Sequence, residues 1–286
     1  MNNGVADEAR RAIKAAYSLR VTSGYALDRP CDVYDLISHL GVTLQFIDVP
    51  SLEGMYLEEP ETTRICVCSR RPSGRQRYTA AHELGHKVFG HGTQLDPTIE
   101  LRESGTASPL EERLADLFAQ SMLMPQSAVN QGFRLRGYEP TAPGPDQILR
   151  VSAWLGVGFE TLVQQMRLTL GMISYRRYQE LLKTDVKEIR EAIVHDTNNN
   201  EVWPLDSHWS GTAVQAQIGD FLTGVSEHDG RGILEPRDST SGQKVYAATR
   251  AGECVVTVQG SARVRVRVSR KAYVGFYDFR YVEECI

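Results

Sequence analysis

The sequence predicts an α+β chain in three parts: residues 1–130, mixing helices with a small sheet; a helical segment over 131–184; and a strand-rich, mostly antiparallel α+β segment over 185–286. Three observations predict it. Helical and alternating apolar patterns succeed one another up to Pro125, a stretch rich in Pro and Gly over 131–145 interrupts them, and from about Asp185 short alternating runs take over. With 286 residues and 41% hydrophobic content, the chain is long enough for about two domains and a proper core.

Taken in order, residues 6–19 carry Ala, Ile and Leu every three to four positions, which predicts a first helix. Asp32 is placed to cap a second helix over 33–40, and Gly41 to end it. Val42, Leu44 and Phe46 alternate with polar residues, as in a half-buried strand. Residues 53–57 and 64–68, joined through Pro60, read as a hairpin. Arg70, Arg71, Arg75 and Arg77 then form a basic turn, which solvates readily and needs no ligand.

The next stretch, Tyr78-Thr79-Ala80-Ala81-His82-Glu83-Leu84-Gly85-His86, carries the chemistry. On a helix, His82 and His86 stand one turn apart on one face, so both imidazoles reach one ion, and Glu83 projects beside them. Two neutral imidazoles holding Zn²⁺, next to a carboxylate that takes a proton from its water, make the pattern of metal-assisted hydrolysis. With 7 His in 286 residues, an accidental His-Glu-x-x-His has a chance on the order of 0.01.

A catalytic zinc usually has three protein ligands. The extended pattern with a downstream Gly and His fails here, because those positions hold Phe89 and Gly92, and His91 is one residue out of register. A carboxylate on a second helix is the obvious source. Residues 110–124 are helical in pattern, with Leu114, Leu117, Phe118, Ser121 and Met122 on an apolar stripe and Pro125 ending it. Glu112 and Asp116 share a different face. They read either as a metal ligand with an orienting partner for a histidine, or as a solvated acidic face favoured by the helix dipole; spacing alone leaves both open.

The two segments, with Glu112-Arg113-Leu114-Ala115-Asp116-Leu117-Phe118-Ala119 followed by Leu123-Met124-Pro125, resemble the ImmA/IrrE family of bacterial metallopeptidases. The resemblance spans roughly residues 25–125 and implies a zincin-like N-terminal peptidase domain over 1–130. It puts the metal-binding glutamate at Glu112, with Glu111 as the register-shifted alternative, beside His82 and His86, with Glu83 catalytic and Asp116 behind the metal shell. It further implies that the protein is a regulatory zinc endopeptidase whose substrate is a helix-turn-helix repressor of the XRE type, cut to release a stress, DNA-damage or phage response. Mn²⁺ can replace Zn²⁺ in such a site. His91 and Tyr78 are the nearest candidates to stabilise an oxyanion.

Between the metal segments, residues 90–109 are polar and rich in Gly, Ser and Thr, reading as a surface loop at the mouth of the site. Residues 146–163 have the cadence of a helix-turn-helix, turning through Gly156 and Gly158; Gln164, Gln165 and Arg167 are the side chains on hand for base edges. Glu160 opposes phosphate, which favours a structural helical module. A helical pattern continues over 171–185, Asn198-Asn199-Asn200 marks a turn, and 213–222 fits one more helix. Residues 244–249, 253–258 and 262–268 fit strands. Arg263, Arg265 and Arg267 alternate with Val, so three guanidinium groups share a face that suits an anionic effector or single-stranded nucleic acid, with Tyr273, Phe276, Tyr277 and Phe279 nearby to stack on bases. The plain alternative is a solvated sheet face, and the resemblance implies a sensor-like role for this last domain.

Net charge is -4, which gives no global electrostatic case for nucleic acid or anionic membrane. No run of 18 apolar residues and no signal-like start predict a cytoplasmic protein without membrane contact. The five cysteines are too scattered for a disulfide framework; Cys66 and Cys68 read as small strand residues. Rival readings are a DNA-binding regulator with a vestigial or structural zinc, or a toxin–antitoxin component acting by sequestration.

Overall fold

The computed structural model describes residues 3–59, 61–97, 110–194, 200–237, 244–259 and 262–282, and the chain divides into two compact units. The first takes residues 1–131, 155–157 and 272–277; the second takes 132–154, 158–271 and 278–286. Pro60, Asn198 and Asn199 of the expected turns, and 98–109 of the expected loop, lie outside the described residues.

In the first unit, α1 (Asn3–Thr22) and α2 (Val33–His39) precede a mixed sheet of β1 (Thr43–Ile47), β2 (Leu52–Glu58), β3 (Thr63–Cys68), β4 (Gln94–Pro97) and β13 (Gly275–Phe276). Asp32 caps α2 as expected, its side chain accepting from Tyr34 N and Asp35 N. The strand order is β13-β1-β3-β2-β4, with β1 parallel to β3 and the other pairs antiparallel. The expected hairpin is β2–β3. α3 (Ser73–Phe89) stands against this sheet and against α4 (Leu110–Leu123), which also packs on α1; α5 (Gln126–Leu135) follows α4.

What fixes α4 is partly polar. Arg20, fully buried at the end of α1, donates to Met122 O at 2.5 Å and to Ala26 O and Arg29 O at 2.5 and 2.6 Å, using a charged fork to satisfy three carbonyls. Arg113 pairs with Glu8 at 3.1 Å.

The aromatic stretch over 273–279 corrects the sequence reading. Residues 275–276 pair with β1, Tyr277 donates to Asp35 Oδ1 at 2.7 Å, and Tyr273 and Tyr277 are buried in the first unit. These two rings are therefore core, not stacking platforms; Phe276 and Phe279 remain exposed.

The second unit holds α6 (Pro145–Leu155) up to Trp154, then α7 (Phe159–Gln164), α8 (Tyr175–Leu182) and α9 (Val186–Val194). A π-helical turn, Gln165–Thr169, extends α7. The helix-turn-helix cadence is present, but Gln165 is buried and Arg167 donates to Ile173 O at 3.5 Å, so Gln165 is not on hand for base edges. The same unit contains two sheets. One is β5 (Val202–Pro204), β7 (Phe221–Thr223), β10 (Val245–Ala248) and β9 (Leu234–Arg237); the other is β6 (Ala213–Gln217), β12 (Ala262–Ser269), β11 (Gly252–Val258) and β8 (Val225–His228).

The expected helix over 213–222 is thus two strands. Gly219, at φ 98, and Asp220 make the turn between them, and pairing with β12 overrides the helical spacing. Each sheet also contains one parallel pair, β5 with β7 and β6 with β12, while the other pairs are antiparallel, so the segment is mostly antiparallel as expected but both sheets are mixed. Val194 of α9 packs with Val202, Phe221, Val245 and Ala247. Arg136 pairs with Asp206 at 2.7 Å, and Trp154 donates to His208 O at 3.1 Å, tying helices to strands. No helix among the described residues is long and apolar enough to cross a membrane.

Candidate metal centre

The sequence folds locally to put His82, Glu83 and His86 in the last turns of α3. Gln76 donates to Ser69 O and Arg71 O at 2.9 and 2.7 Å, pinning the basic turn to the helix start. Gly90 ends the helix at φ 68, its N–H reaching back to Lys87 O and His86 O. Residues Ala80, Ala81 and Leu84 fill the core side of α3. Gly85 is required by close approach: a Cβ there would lie 3.0 Å from Ala115 Cα, so α3 and α4 meet backbone to backbone at the level of the motif.

That approach brings Glu112 to the imidazoles. Its carboxylate oxygens stand 3.5 Å from His82 Nε2 and 3.4 Å from His86 Nε2, while the two Nε2 atoms are 3.0 Å apart. Asp116 accepts from His82 Nδ1 at 2.9 Å, leaving Nε2 with its lone pair toward the cluster, and Tyr78 OH reaches Asp116 at 3.4 Å. His91 Nδ1 meets His86 Nδ1 at 2.9 Å, behind the ring. His91 and Tyr78 therefore stand as partners of His86 and of Asp116.

The residue that sequence reasoning missed is Asp96. Its Oδ2 lies 3.0 Å from His82 Nε2, and His82, His86, Asp96 and Glu112 each offer a ligand atom within 4.8 Å of the others. Tetrahedral donors about 2.0–2.1 Å from an ion stand about 3.3 Å apart, so the nitrogen and oxygen donors present fit a divalent metal. Asp96 hid in a stretch that reads as surface loop; its one signal is position, four residues past Gly92.

Charge supports the fit. Burial alone would depress the His82 pKa, but the carboxylates of Asp116, Asp96 and Glu112 overcome it and hold it well above 6.5. Burial and the neighbouring His82 push His86 down to about 4. The cluster thus draws in positive charge. Glu83 is fully buried beside β2, where a Cβ at Gly54 would meet its Oε1 at 2.6 Å. Elsewhere, Arg263 and Arg265 are exposed, whereas Arg267 is buried, 3.3 Å from Glu253.

An α-helical His-Glu-x-x-His segment under a mixed sheet, facing an acidic second helix, is the class of arrangement built for a metallopeptidase. Residues 37–167 match the model of a peptidase family described as the IrrE N-terminal-like domain, which supports the resemblance of this part of the chain to the ImmA/IrrE family. A solved structure similar to the chain is a Mycobacterium tuberculosis transcriptional regulator, at 19% identity and a TM-score of 0.35, covering 55% of this chain and 46% of that one. The chain thus spans about half the length of that protein. No curated protein matches it.

Proposed function

We propose that the protein is a regulatory zinc endopeptidase, with His82, His86 and Glu112 as ligands and Glu83 as the proton-transferring group. The observation that carries this is the convergence of both Nε2 atoms and the Glu112 carboxylate within 3.5 Å, with Glu83 on the same helix one residue from a ligand. Zn²⁺, or Mn²⁺ in its place, would supply a water of lowered pKa and polarise the peptide carbonyl. Glu83, buried one residue from His82, would accept the water's proton and return it to the leaving amine. Asp116 holds the His82 tautomer that keeps Nε2 free for the ion.

The substrate class we favour is a helix-turn-helix repressor of the XRE type, whose cleavage in the cytoplasm releases a stress, DNA-damage or phage response. Incubation with helix-turn-helix repressors of the same organism, read on a gel, tests this. Glu83→Gln should keep the metal and abolish cleavage; equal loss of both would contradict the assignment. A structural ion is the second reading, favoured by the four-donor set that Asp96 completes. It predicts no cleavage by the parent chain under any condition.

A further inference from the structure

A hydrolytic centre keeps one coordination position for water, and a fourth protein donor closes it. Asp96 is that donor, and the strand that delivers it is held in an unusual way. β4 lies at the edge of the sheet, antiparallel to β2, with Pro97 opposite Leu52, Asp96 opposite Gly54, Leu95 opposite Met55 and Gln94 opposite Tyr56. Of its four residues, only Asp96 is buried; Leu95 is 60% exposed. Little apolar burial therefore secures β4. It is secured by backbone pairing, by Glu58 N donating to Thr93 Oγ1 at 3.1 Å, and by the Asp96 carboxylate against His82. Two glycines lead into it, Gly90 at φ 68 and Gly92 at φ 71, positions where the chain turns without strain.

An extended peptide joining a sheet edge makes the same main-chain bonds that β4 makes to β2. Gly54 faces Asp96 across the strands and abuts Glu83, so the place where β4 touches β2 is also the place where a scissile bond would meet the proton-transferring group. We infer that β4 is a built-in occupant of the substrate groove: it pairs with β2 as a peptide substrate would, and Asp96 fills the position reserved for the reacting water. The chain is then latent, and a substrate strand gains access to β2 only by displacing β4 and its carboxylate. This rests on the peptidase reading above.

The test uses the full chain loaded with Co²⁺ and titrated with acetohydroxamate, followed by the visible absorption of the ion. Parent and Asp96→Ala should both bind Co²⁺, and the variant should bind acetohydroxamate at least about ten-fold more tightly. Amide exchange in β4 and at Tyr56 should speed up in the variant, because the strand has lost its one buried anchor. Asp96→Asn, which keeps the side chain's size, provides the same comparison if the alanine variant does not fold. Equal hydroxamate affinity in parent and variants, with Co²⁺ bound in all, would overturn the occupant role and leave the peptidase reading intact. Failure of the parent to bind Co²⁺ at His82 and His86 would overturn both.

Discussion

Adding one methyl group at Gly85 tests whether the spacing of α3 and α4 sets the metal centre. A Cβ there would sit 3.0 Å from Ala115 Cα and 3.3 Å from both Ala115 Cβ and Ala115 O. Carbon atoms rest comfortably at about 3.5–4.0 Å, so in Gly85→Ala α4 must retreat by roughly 0.5–1 Å. Glu112 lies three residues before Ala115 on the same helix and retreats with it. Coordination distances tolerate only about 0.2 Å, so metal affinity should fall about ten- to hundred-fold, or roughly 1.4–3 kcal/mol.

Stability should respond differently. Overpacking costs about 1–3 kcal/mol, and Ala in place of Gly inside a helix offsets about 1 kcal/mol of that. The metal-free melting temperature should therefore drop by a few degrees at most, while affinity drops steeply. Competition against a chromogenic chelator reads the first quantity and a thermal melt of metal-free protein the second. Affinity within about two-fold of the parent, together with a metal-free protein more stable by about 1 kcal/mol, would refute the reasoning.

Three further outcomes are expected. Gly54→Ala drives a Cβ to 2.6 Å from Glu83 Oε1 and 2.5 Å from Thr79 Cγ2, so cleavage should fall about 100-fold with metal retained, measured by turnover beside metal content. Asp220 accepts from Gln217 N, Glu201 N and Trp203 Nε1, yet burial pushes its pKa up to about 6 from 3.8. A raised acid pKa means the folded state holds the proton more tightly: the stabilisation is complete below pH 3.8 and lost as pH rises through about 6, about 3 kcal/mol in all. Urea unfolding at pH 4 and pH 7 should accordingly show less pH dependence in Asp220→Asn than in the parent. Tyr277→Phe removes the 2.7 Å bond to Asp35 and should cost the first unit about 1–2 kcal/mol, read by denaturant melting.

What was legible in the sequence was local. The Asp32 cap, the β2–β3 hairpin, the turn at Gly156 and the spacing of His82 and His86 are each decided within a few residues, and each appears as expected. Features decided by distant pairing were not. Residues 213–222 carry a helix-compatible pattern, and only the partner strand β12 makes them strands. Tyr273 and Tyr277 look like an aromatic patch until β13 joins β1, more than 200 residues away in sequence. Arg267 differs from Arg263 and Arg265 because of its neighbour Glu253 on β11, which alternation along β12 cannot reveal. Asp96 escaped for the same reason: its importance comes from the register of a four-residue edge strand, and Asp is a poor strand former.

The most direct measurement is the anomalous scattering of a bound metal in crystals of the full chain. The account predicts a peak about 2.0–2.2 Å from His82 Nε2, His86 Nε2 and an oxygen of Glu112. A peak served by Glu111, or a metal bound away from both imidazoles, would contradict it.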